Sequence, residues 1–353
     1  MTRVVVIGRG IAAASLVWRL AQNHAVQVVC IGMSAANAAT RLSGGAIRRY
    51  ERDEELRALA TESYHELFAS PPMREASSFR PATALLAFEP DDQDAERHAD
   101  LPSEEGYEFF DHREGHDVFG LQVSSNSIVV RDMQAGTIDV SGLATYLFAR
   151  AAQMGAEIIE TPVAGITDSQ GILAACGPDG SYTGDKVVVA LGAWTPGFLK
   201  SSRITAAPIL IRRVRYYLFG SANLPMAHFM VDPLGVFGRP AERGTWLIGR
   251  STNEWLDEPD TQCGCGPMST IPCDACVETV NDCTATLTAA FPRSAPSGLL
   301  AVVNGVDSYR RRPGLSMRHT GLPNVYTSCG GSGLAAKSAL AASRLAVGEL
   351  LAN

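Results

Sequence analysis

The sequence predicts an α/β protein in which a Rossmann-type nucleotide-binding domain carries an inserted antiparallel-sheet domain. The β-branched run at residues 4–7 leads directly into Gly8 and Gly10, and apolar residues at helical spacing follow. Residues 324–351 repeat this order of strand, glycine turn and helix. Between residues 204 and 299 the sequence instead contains short alternating segments, which are typical of antiparallel strands.

The first turn fits a dinucleotide-binding motif. Gly8, Gly10 and Ala13 form the pattern GxGxxA between a buried strand and the helix that starts with Ile11 and Ala12. Glycines allow the backbone to approach a pyrophosphate closely, and the N-terminus of the helix adds oriented N–H groups. Such a turn also occurs for structural reasons alone, but its position after the first strand favours nucleotide binding.

The second strand lacks one feature of this motif. A strand in this place usually ends in an acidic residue that holds the adenosine ribose. Here Ile31 and Gly32 occupy the matching positions. We therefore expect the ribose to be held in another way.

A glycine-bearing segment with arginines follows the second strand. Thr40 and Arg41 are candidates for pyrophosphate contacts, and Gly44 and Gly45 would let the chain pass flat beside a ring system. The alternative is an ordinary glycine loop with solvated arginines.

Composition limits the class of partner. The chain has 353 residues, 46% of them hydrophobic, and a net charge of −7, which argues against nucleic acid or an anionic membrane as a partner. Neither a secretory signal nor an apolar run of the roughly 20 residues that span a bilayer is evident. We therefore expect a cytoplasmic protein.

Five of the eight cysteines lie between residues 263 and 283. Four such thiols would be enough for a structural zinc ion. The segment lacks the paired CxxC spacing of zinc sites, however, so we favour reduced thiols and no metal.

The two domains are expected to interleave along the chain. Residues 1–70, 133–203 and 300–353 are assigned to the nucleotide-binding domain, and residues 71–132 and 204–299 to the inserted domain. Within the first inserted piece, the charge run at residues 91–105 is interpreted as a solvated face.

Together these segments resemble the FAD-dependent D-amino acid oxidase superfamily, in the branch that holds glycine oxidase and sarcosine oxidase. The resemblance covers nearly the whole chain and depends on the order and spacing of several motifs. These are VVVIGRGIAAASLVWRLA, ATRLSGGAIRR, TIDVSGLATYLFARAAQMGAEI, VVVALGAW, RRRPG and LPNVYTSCGGSGLAAKSALAASRLA. The family implies a p-hydroxybenzoate-hydroxylase-like layout, in which an antiparallel sheet covers the flavin of a FAD-binding domain.

The resemblance also implies which residues hold FAD. The pyrophosphate would lie on the first turn, and backbone N–H groups of the last glycine turn would face the pyrimidine edge of the flavin. The cofactor-binding set comprises Gly8, Gly10, Ile11, Ala12, Ala13, Thr40, Arg41, Ser43, Gly44, Gly45, Val163, Gly192, Trp194, Gly330, Gly331, Ser332, Gly333 and Leu334.

Three departures from the family pattern have consequences. The cysteine that tethers flavin in sarcosine oxidases would lie near residues 309–312, where this chain has none, so FAD should be non-covalent. Gly331 replaces the arginine of the glycine oxidase turn, which leaves more room near the flavin. Lys337 lies two positions too late to match the lysine of sarcosine oxidases.

The family chemistry requires a clamp for a substrate carboxylate, and a guanidinium provides one in bidentate fashion. Arg312 matches the carboxylate-binding arginine of the family, and Arg49 is a further candidate for this role. Tyr217 or its neighbour Tyr216 would add a hydroxyl. The alternatives are a solvated arginine run and aromatic packing in a sheet.

The resemblance implies oxidation of an amino acid or secondary amine, of glycine or N-substituted glycine type. Hydride transfer to FAD would give an imine that hydrolyses to glyoxylate or a keto acid plus an amine, and dioxygen would reoxidise the flavin with formation of hydrogen peroxide. An amino acid dehydrogenase that passes electrons to a quinone or protein is the alternative, and a non-catalytic nucleotide binder is a third. The many arginines near the expected site would suit a substrate with a second anionic group.

Overall fold

The computed structural model describes residues 1–90, 106–251, 254–259, 268–269, 274–294 and 296–352. The helices are α1 (Ile11–Ala21), α2 (Glu54–Ala69), α3 (Pro71–Ala76), α4 (His112–Phe119), α5 (Val140–Gln153), α6 (Thr195–Ser201), α7 (Asp274–Ala290) and α8 (Ala335–Ala352). The strands are β1 (Thr2–Ile7), β2 (Val26–Ile31), β3 (Ala46–Ile47), β4 (Arg80–Phe88), β5 (Tyr107–Phe110), β6 (Ile128–Thr137), β7 (Glu157–Ile159), β8 (Gly165–Ser169), β9 (Ile172–Gly177), β10 (Gly180–Gly184), β11 (Lys186–Val189), β12 (Leu210–Ser221), β13 (Ala227–Val231), β14 (Val236–Pro240), β15 (Trp246–Arg250), β16 (Trp255–Leu256), β17 (Met268–Ser269), β18 (Ser297–Tyr309), β19 (Ser316–His319) and β20 (Val325–Cys329).

A six-stranded sheet of order β19-β20-β11-β1-β2-β7 forms the nucleotide-binding half, as predicted. All neighbours in it are parallel except β19 and β20. Val4 and Val6 of β1 pack towards α1, α5 and α8, whereas Val5 and Ile7 pack towards α6 and the three-stranded sheet of β8, β9 and β10. The apolar run of β1 is therefore buried on both faces, as a central parallel strand requires.

The second half is a large sheet of order β17-β18-β12-β15-β14-β13-β4-β6-β3, to which β16 and β5 also pair. It is antiparallel as predicted, apart from the parallel pair β4 and β13. One face packs Tyr217, Phe229, Trp246 and Ile248 against α7 in a hydrophobic core. Because side chains alternate along a strand, the neighbouring residues point to the other face.

The sheet pairings bear on where the two halves meet along the chain. Residues 300–309 belong to β18, which pairs with β12 along its length and so continues the large sheet. Strand β6 likewise runs across the expected boundary at residues 132 and 133.

The sequence also predicts a helix over residues 51–68 and a strand over residues 158–163, and the structure changes the bounds of both. The helix begins at Glu54, because the side chain of Asp53 accepts the N–H of Leu56 at 2.9 Å and caps it there. The strand is only β7, which ends at Ile159. Pro162, which has no N–H to donate to a sheet, lies in the segment that follows it.

The charge run at residues 91–105 lies outside the described residues. So do three of the five clustered cysteines, namely Cys263, Cys265 and Cys273. Cys276 and Cys283 are buried on α7, and burial raises the pKa of Cys283 to about 12. No three His, Cys, Asp or Glu side chains of the described ranges come together as a metal site. In the same ranges, no helix has the length and apolar character needed to cross a bilayer.

Candidate active site

A cavity of about 1320 Å³ lies between the six-stranded sheet and the free face of the large sheet. We call its backbone turns the floor; these are residues 9–12, 32–35, 40–45, 190–194 and 331–334. We call the cavity-facing side chains of β12 to β15 the roof; these are Arg212, Val214, Tyr216, His228, Met230, Phe237, Arg239 and Leu247.

The first glycine turn builds one end of the floor. Gly8 has a φ of +147°, and a Cβ there would lie 2.3 Å from the carbonyl oxygen of Ala190, so only glycine fits. Helix α1 starts at Ile11, whose N–H donates to Thr40 Oγ1 at 3.0 Å. The other N–H groups of this first turn are the donors that would hold a diphosphate. Gly8 and Ala13 are buried behind the cavity wall, where Ala13 packs in the core between helix and sheet.

The missing ribose acid has a structural reason. Gly32 follows β2 with a φ of +151°, and a Cβ there would lie 3.1 Å from the backbone nitrogen of Gly8. The two segments pass so closely that a side chain at this point would be strained and would force the backbone of Gly8 to shift. Met33 and Ser34, which come next, line the cavity instead.

The segment after β2 forms the middle of the floor. Thr40, Arg41, Ser43, Gly44 and Gly45 all line the cavity. Gly45 has a φ of +64°, and a Cβ there would lie 2.0 Å from the carbonyl oxygen of Ile138. The backbone at Gly45 is therefore held flat against the cavity wall. This is the segment that the sequence predicts to pass beside a ring system.

The far end of the floor brings together Val163, Gly192 and Trp194 with the last glycine turn. The N–H groups of that turn are largely in use. Ser308 accepts those of Gly330 at 3.0 Å and Ser332 at 2.9 Å, and Asp307 accepts that of Gly333 at 2.8 Å. The expectation that this turn presents a row of backbone donors to a cofactor is therefore wrong for these three residues. Gly331, Ser332, Gly333 and Leu334 still line the cavity, whereas Gly330 lies behind it.

The floor as a whole fits a dinucleotide cofactor. Gly8 and Gly45 leave room that a Cβ would fill, and the start of α1 offers N–H donors to phosphate. The cavity continues from there to the roof.

The two tyrosines of β12 face opposite sides of the sheet. Tyr216 lines the cavity, whereas Tyr217 is only 2% exposed in the core against α7, where Thr279 hydrogen-bonds to it. The structure thus brings Tyr216, and not the predicted Tyr217, to the site. The side-chain alternation along β12 decides between them.

Arg239 of β14 lies beside Tyr216 in the roof. Its Nε donates to the carbonyl oxygen of Gly44 and its Nη1 donates to that of Pro240 at 2.9 Å. The N–H of Gly44 in turn interacts with the phenol oxygen of Tyr216. Burial raises the pKa of Tyr216, so its hydroxyl keeps its proton and remains a donor. The backbone of one floor residue, Gly44, thus positions a guanidinium and a phenol.

His228 of β13 is buried in the roof with 5% of its surface exposed. Within the described residues, neither of its ring nitrogens has a hydrogen-bond partner. Burial, together with the charges of Arg239 and Arg48, lowers its pKa to about 3, so the ring is neutral. An imidazole in this state offers one donor and one acceptor to a ligand.

A buried charge cluster forms the corner between floor and roof. Glu51 is ion-paired to Lys337 Nζ and lies 3.1 Å from Arg48 Nη2. Arg48 and Lys337 both line the cavity. Burial and the charge of Arg48 lower the pKa of Lys337 to about 8, although Glu51 opposes this shift. The corner therefore carries two cations, and the carboxyl groups of Glu51 and Asp232 both act on Lys337.

The structure does not bring the two predicted arginines to the cavity. The Arg312 side chain is 64% exposed and pairs with Glu55 at 2.7 Å. Arg49 is buried next to Asp132 and lies over the rings of Tyr64 and Tyr107, outside the cavity wall. Arg239 and His228 were missed by sequence reasoning, since neither belongs to a motif. Lys337 lies in the last motif, but its position did not match the lysine of sarcosine oxidases.

Solved structures with this fold are numerous. L-proline dehydrogenase from P. horikoshii matches with a TM-score of 0.78 at 18% identity over 99% of this chain and 93% of that one. Glycine oxidase from Geobacillus kaustophilus matches with a TM-score of 0.73 at 16% identity over 100% and 95%. Iminodiacetate oxidase from Chelativorans sp. BNC1 matches with a TM-score of 0.73 at 17% identity over 99% and 96%. A comparison with curated protein sequences gave no match.

At these identities the structures establish the fold alone. A family model described as "FAD dependent oxidoreductase" matches residues 3–348, which is nearly the whole chain. Members of this family bind FAD, and the glycine-rich floor fits that cofactor. The chain therefore belongs to the DAO family of FAD-dependent oxidoreductases.

Proposed function

We propose that this flavoprotein oxidises an amino acid or secondary amine of glycine or N-substituted glycine type. The observation that carries the proposal is the pair of Arg239 and Tyr216, which faces the FAD-binding floor and is anchored on Gly44. A guanidinium and a phenol are the donors that a carboxylate takes up in bidentate fashion. They replace Arg312 and Tyr217 as the proposed carboxylate clamp.

Bound FAD supplies the acceptor for a hydride from the carbon next to the substrate nitrogen. The protein has to fix the substrate carboxylate, keep water away and leave the nitrogen neutral. The imine so formed hydrolyses to glyoxylate or a keto acid plus an amine. We propose that FAD is held without a covalent bond, because burial raises the pKa of Cys329 in the cavity wall and so disfavours its reactive thiolate.

The residues beside Arg239 support a substrate that carries a second anionic group. His228, Arg48 and Lys337 line the cavity near Arg239. The imidazole of His228 has no hydrogen-bond partner among the described residues, which leaves a buried polar group to be satisfied by a ligand. An N-carboxymethyl amino acid would place one carboxylate on Arg239 and the other near His228. A protein with the same fold is named iminodiacetate oxidase. Iminodiacetate carries two carboxylates on one amine.

The solved structures that share this fold include one protein named a dehydrogenase and others named oxidases. The two kinds of name imply different electron acceptors. We propose dioxygen, with hydrogen peroxide as its product. A dehydrogenase that passes electrons to a quinone or protein is the second candidate.

The test is a panel of glycine, sarcosine, D-alanine, L-proline and N-carboxymethyl amino acids, assayed in air for peroxide and glyoxylate. We expect N-substituted glycines to give both products. Oxidation of free glycine, proline or D-alanine far more efficiently than of any N-substituted glycine would contradict the substrate class. Turnover with an artificial electron acceptor but without peroxide would favour the dehydrogenase.

A further inference from the structure

An arginine inside the first glycine turn has a donor that the fold leaves unused. Arg9 stands between Gly8 and Gly10 and lines the cavity. Its guanidinium lies over the ring of Phe148 on α5, 4.6 Å from the ring centroid, and Phe148 also lines the cavity. The Nη1 atom of Arg9 is buried and has no hydrogen-bond partner within the described residues. A buried donor without a partner costs free energy, so a ligand that supplies an acceptor here is favoured.

Arg9 lies where the first turn runs beside the end of β2. The N–H of Gly8 donates to the carbonyl oxygen of Ile31 at 2.8 Å. A Cβ on Gly32 would lie within 3.2 Å of three backbone atoms of Gly8, so Arg9 comes directly after the closest approach of the two segments. Burial raises the pKa of Cys30 on β2 to about 12, and the charge of Arg9 acts against this shift. The guanidinium thus lies close to the place where an acid usually holds the adenosine ribose.

The wall of the cavity at this end is mostly apolar. Phe148 and Ala152 lie one turn apart on α5, and Ile158 of β7 lies opposite Cys30 in the pairing with β2. Phe148, Ala152 and Ile158 all line the cavity. Such side chains suit the flat face of an adenine ring, and Arg9 adds a charged donor beside them.

The acids of the cavity wall lie on other elements. Among the described residues that line the cavity, the acidic ones are Asp307 and Glu258. Asp307 accepts the N–H of Gly333 at 2.8 Å, which ties it to the last glycine turn. Glu258 follows β16, which pairs with β12 of the large sheet. A ribose beside the end of β2 therefore meets a guanidinium where it usually meets a carboxylate.

We propose that Arg9 takes the place of the missing acid and holds the adenosine half of FAD by donating hydrogen bonds to the 2′ and 3′ hydroxyl groups of its ribose. A hydroxyl group is both a donor and an acceptor, so it binds a guanidinium as well as a carboxylate, with the direction of the hydrogen bond reversed. The inference depends on FAD binding and is independent of the substrate that the roof accepts.

The first test compares two nucleotides that differ only in the ribose hydroxyl groups. The Kd values of ADP and 2′,3′-dideoxy-ADP are measured on the full chain, freed of its flavin, by competition with FAD. The wild type should prefer ADP by about 10-fold or more, because the dideoxy compound lacks the acceptors for a charged donor. In Arg9→Ala the two Kd values should lie within about 2-fold of each other.

The matched control removes the same charge from a neighbouring position. Arg150 lies two residues after Phe148 on α5, is not part of the cavity wall and hydrogen-bonds to Gln153. Arg150→Ala should keep the wild-type preference for ADP. Should Arg9→Ala fail to fold, Arg9→Gln replaces it, because it removes the charge and keeps most of the side-chain length. Arg9→Lys keeps the charge without the forked donor and should restore the preference only in part.

The second readout compares FAD with FMN, which lacks the adenosine half. Arg9→Ala should raise the Kd of FAD about 10-fold or more, because the contact with the ribose is lost. It should change the Kd of FMN less than about 2-fold, because FMN has no ribose of adenosine for Arg9 to bind.

Two results would overturn the role of Arg9. Equal weakening of ADP and 2′,3′-dideoxy-ADP in Arg9→Ala would mean that Arg9 binds the phosphates and not the ribose. Unchanged Kd values for all four ligands would mean that it binds neither. A wild-type protein that shows the ribose preference but that no amine reduces would contradict the proposed function and leave the role of Arg9 intact.

Discussion

The floor and the roof of the cavity recognise their ligands by different means. The floor uses backbone, and at Gly8, Gly32 and Gly45 a Cβ would lie 2.3, 3.1 and 2.0 Å from other backbone atoms. The roof uses side chains such as Arg239 and His228, which project from alternate positions of neighbouring strands. A substitution in the floor is therefore expected to affect cofactor binding. A substitution in the roof is expected to change substrate binding and to leave the cofactor in place.

The largest expected effect is loss of the cofactor from Gly10→Val. A Cβ at this position already lies 3.0 Å from Thr40 Oγ1, and the two methyl groups would occupy the space of the pyrophosphate. We expect folded protein without FAD, measured as released flavin per chain. Gly348→Val is the matched control, because a Cβ there meets no atom of the described residues within 4 Å. Full flavin occupancy in Gly10→Val would show that the turn is structural only.

The next effect separates the two arginines that compete for the carboxylate. Arg239→Ala should keep its flavin and lose about 100-fold or more in kcat/KM, since a charge-assisted bidentate contact contributes about 3 kcal/mol. Arg312→Ala should change kcat/KM less than about 2-fold, because that side chain is exposed and paired with Glu55. A larger loss of kcat/KM in Arg312→Ala than in Arg239→Ala would instead identify Arg312 as the carboxylate-binding arginine.

A smaller effect distinguishes the two faces of β12. Tyr216→Phe removes one hydroxyl donor from the clamp and should raise KM by about 10-fold with flavin content unchanged. Tyr217→Phe removes a hydroxyl from the opposite core and should leave the kinetics unchanged, while the free energy of unfolding falls by about 1 kcal/mol. Equal kinetic effects of both variants would mean that the alternation along β12 does not set the site.

The smallest effect is a pH dependence of ligand binding. The pKa of Lys337 is lowered to about 8, so its charge is present below that pH and is lost above it. Methoxyacetate, which has no amine to titrate, should bind several-fold more weakly as the pH rises through about 8. Lys337→Gln should bind it more weakly throughout and without this pH dependence. A wild-type affinity that stays constant between pH 7 and 9 would remove Lys337 from ligand binding.

How far the sequence could predict the site follows the same division. Gly8, Gly10 and Gly45 were identified because their spacing reflects backbone geometry, which a local motif expresses directly. Tyr216 and Tyr217 are adjacent in sequence, and only the packing of α7 on one face of the sheet decides which of them reaches the cavity. Arg312 was selected by its motif, but the segment after β18 carries it outwards to Glu55. Arg239 and His228 come together only through strand register, which no local pattern specifies.

The central claim is that the chain holds FAD and takes electrons from an amine. Anaerobic mixing of the purified yellow protein with the amine panel tests it directly, because the result does not depend on the electron acceptor. We expect an N-substituted glycine or another amino acid of the panel to bleach the visible absorbance of the flavin, and free FAD to be released on denaturation. A flavin that dithionite reduces but that no amine bleaches would contradict the account.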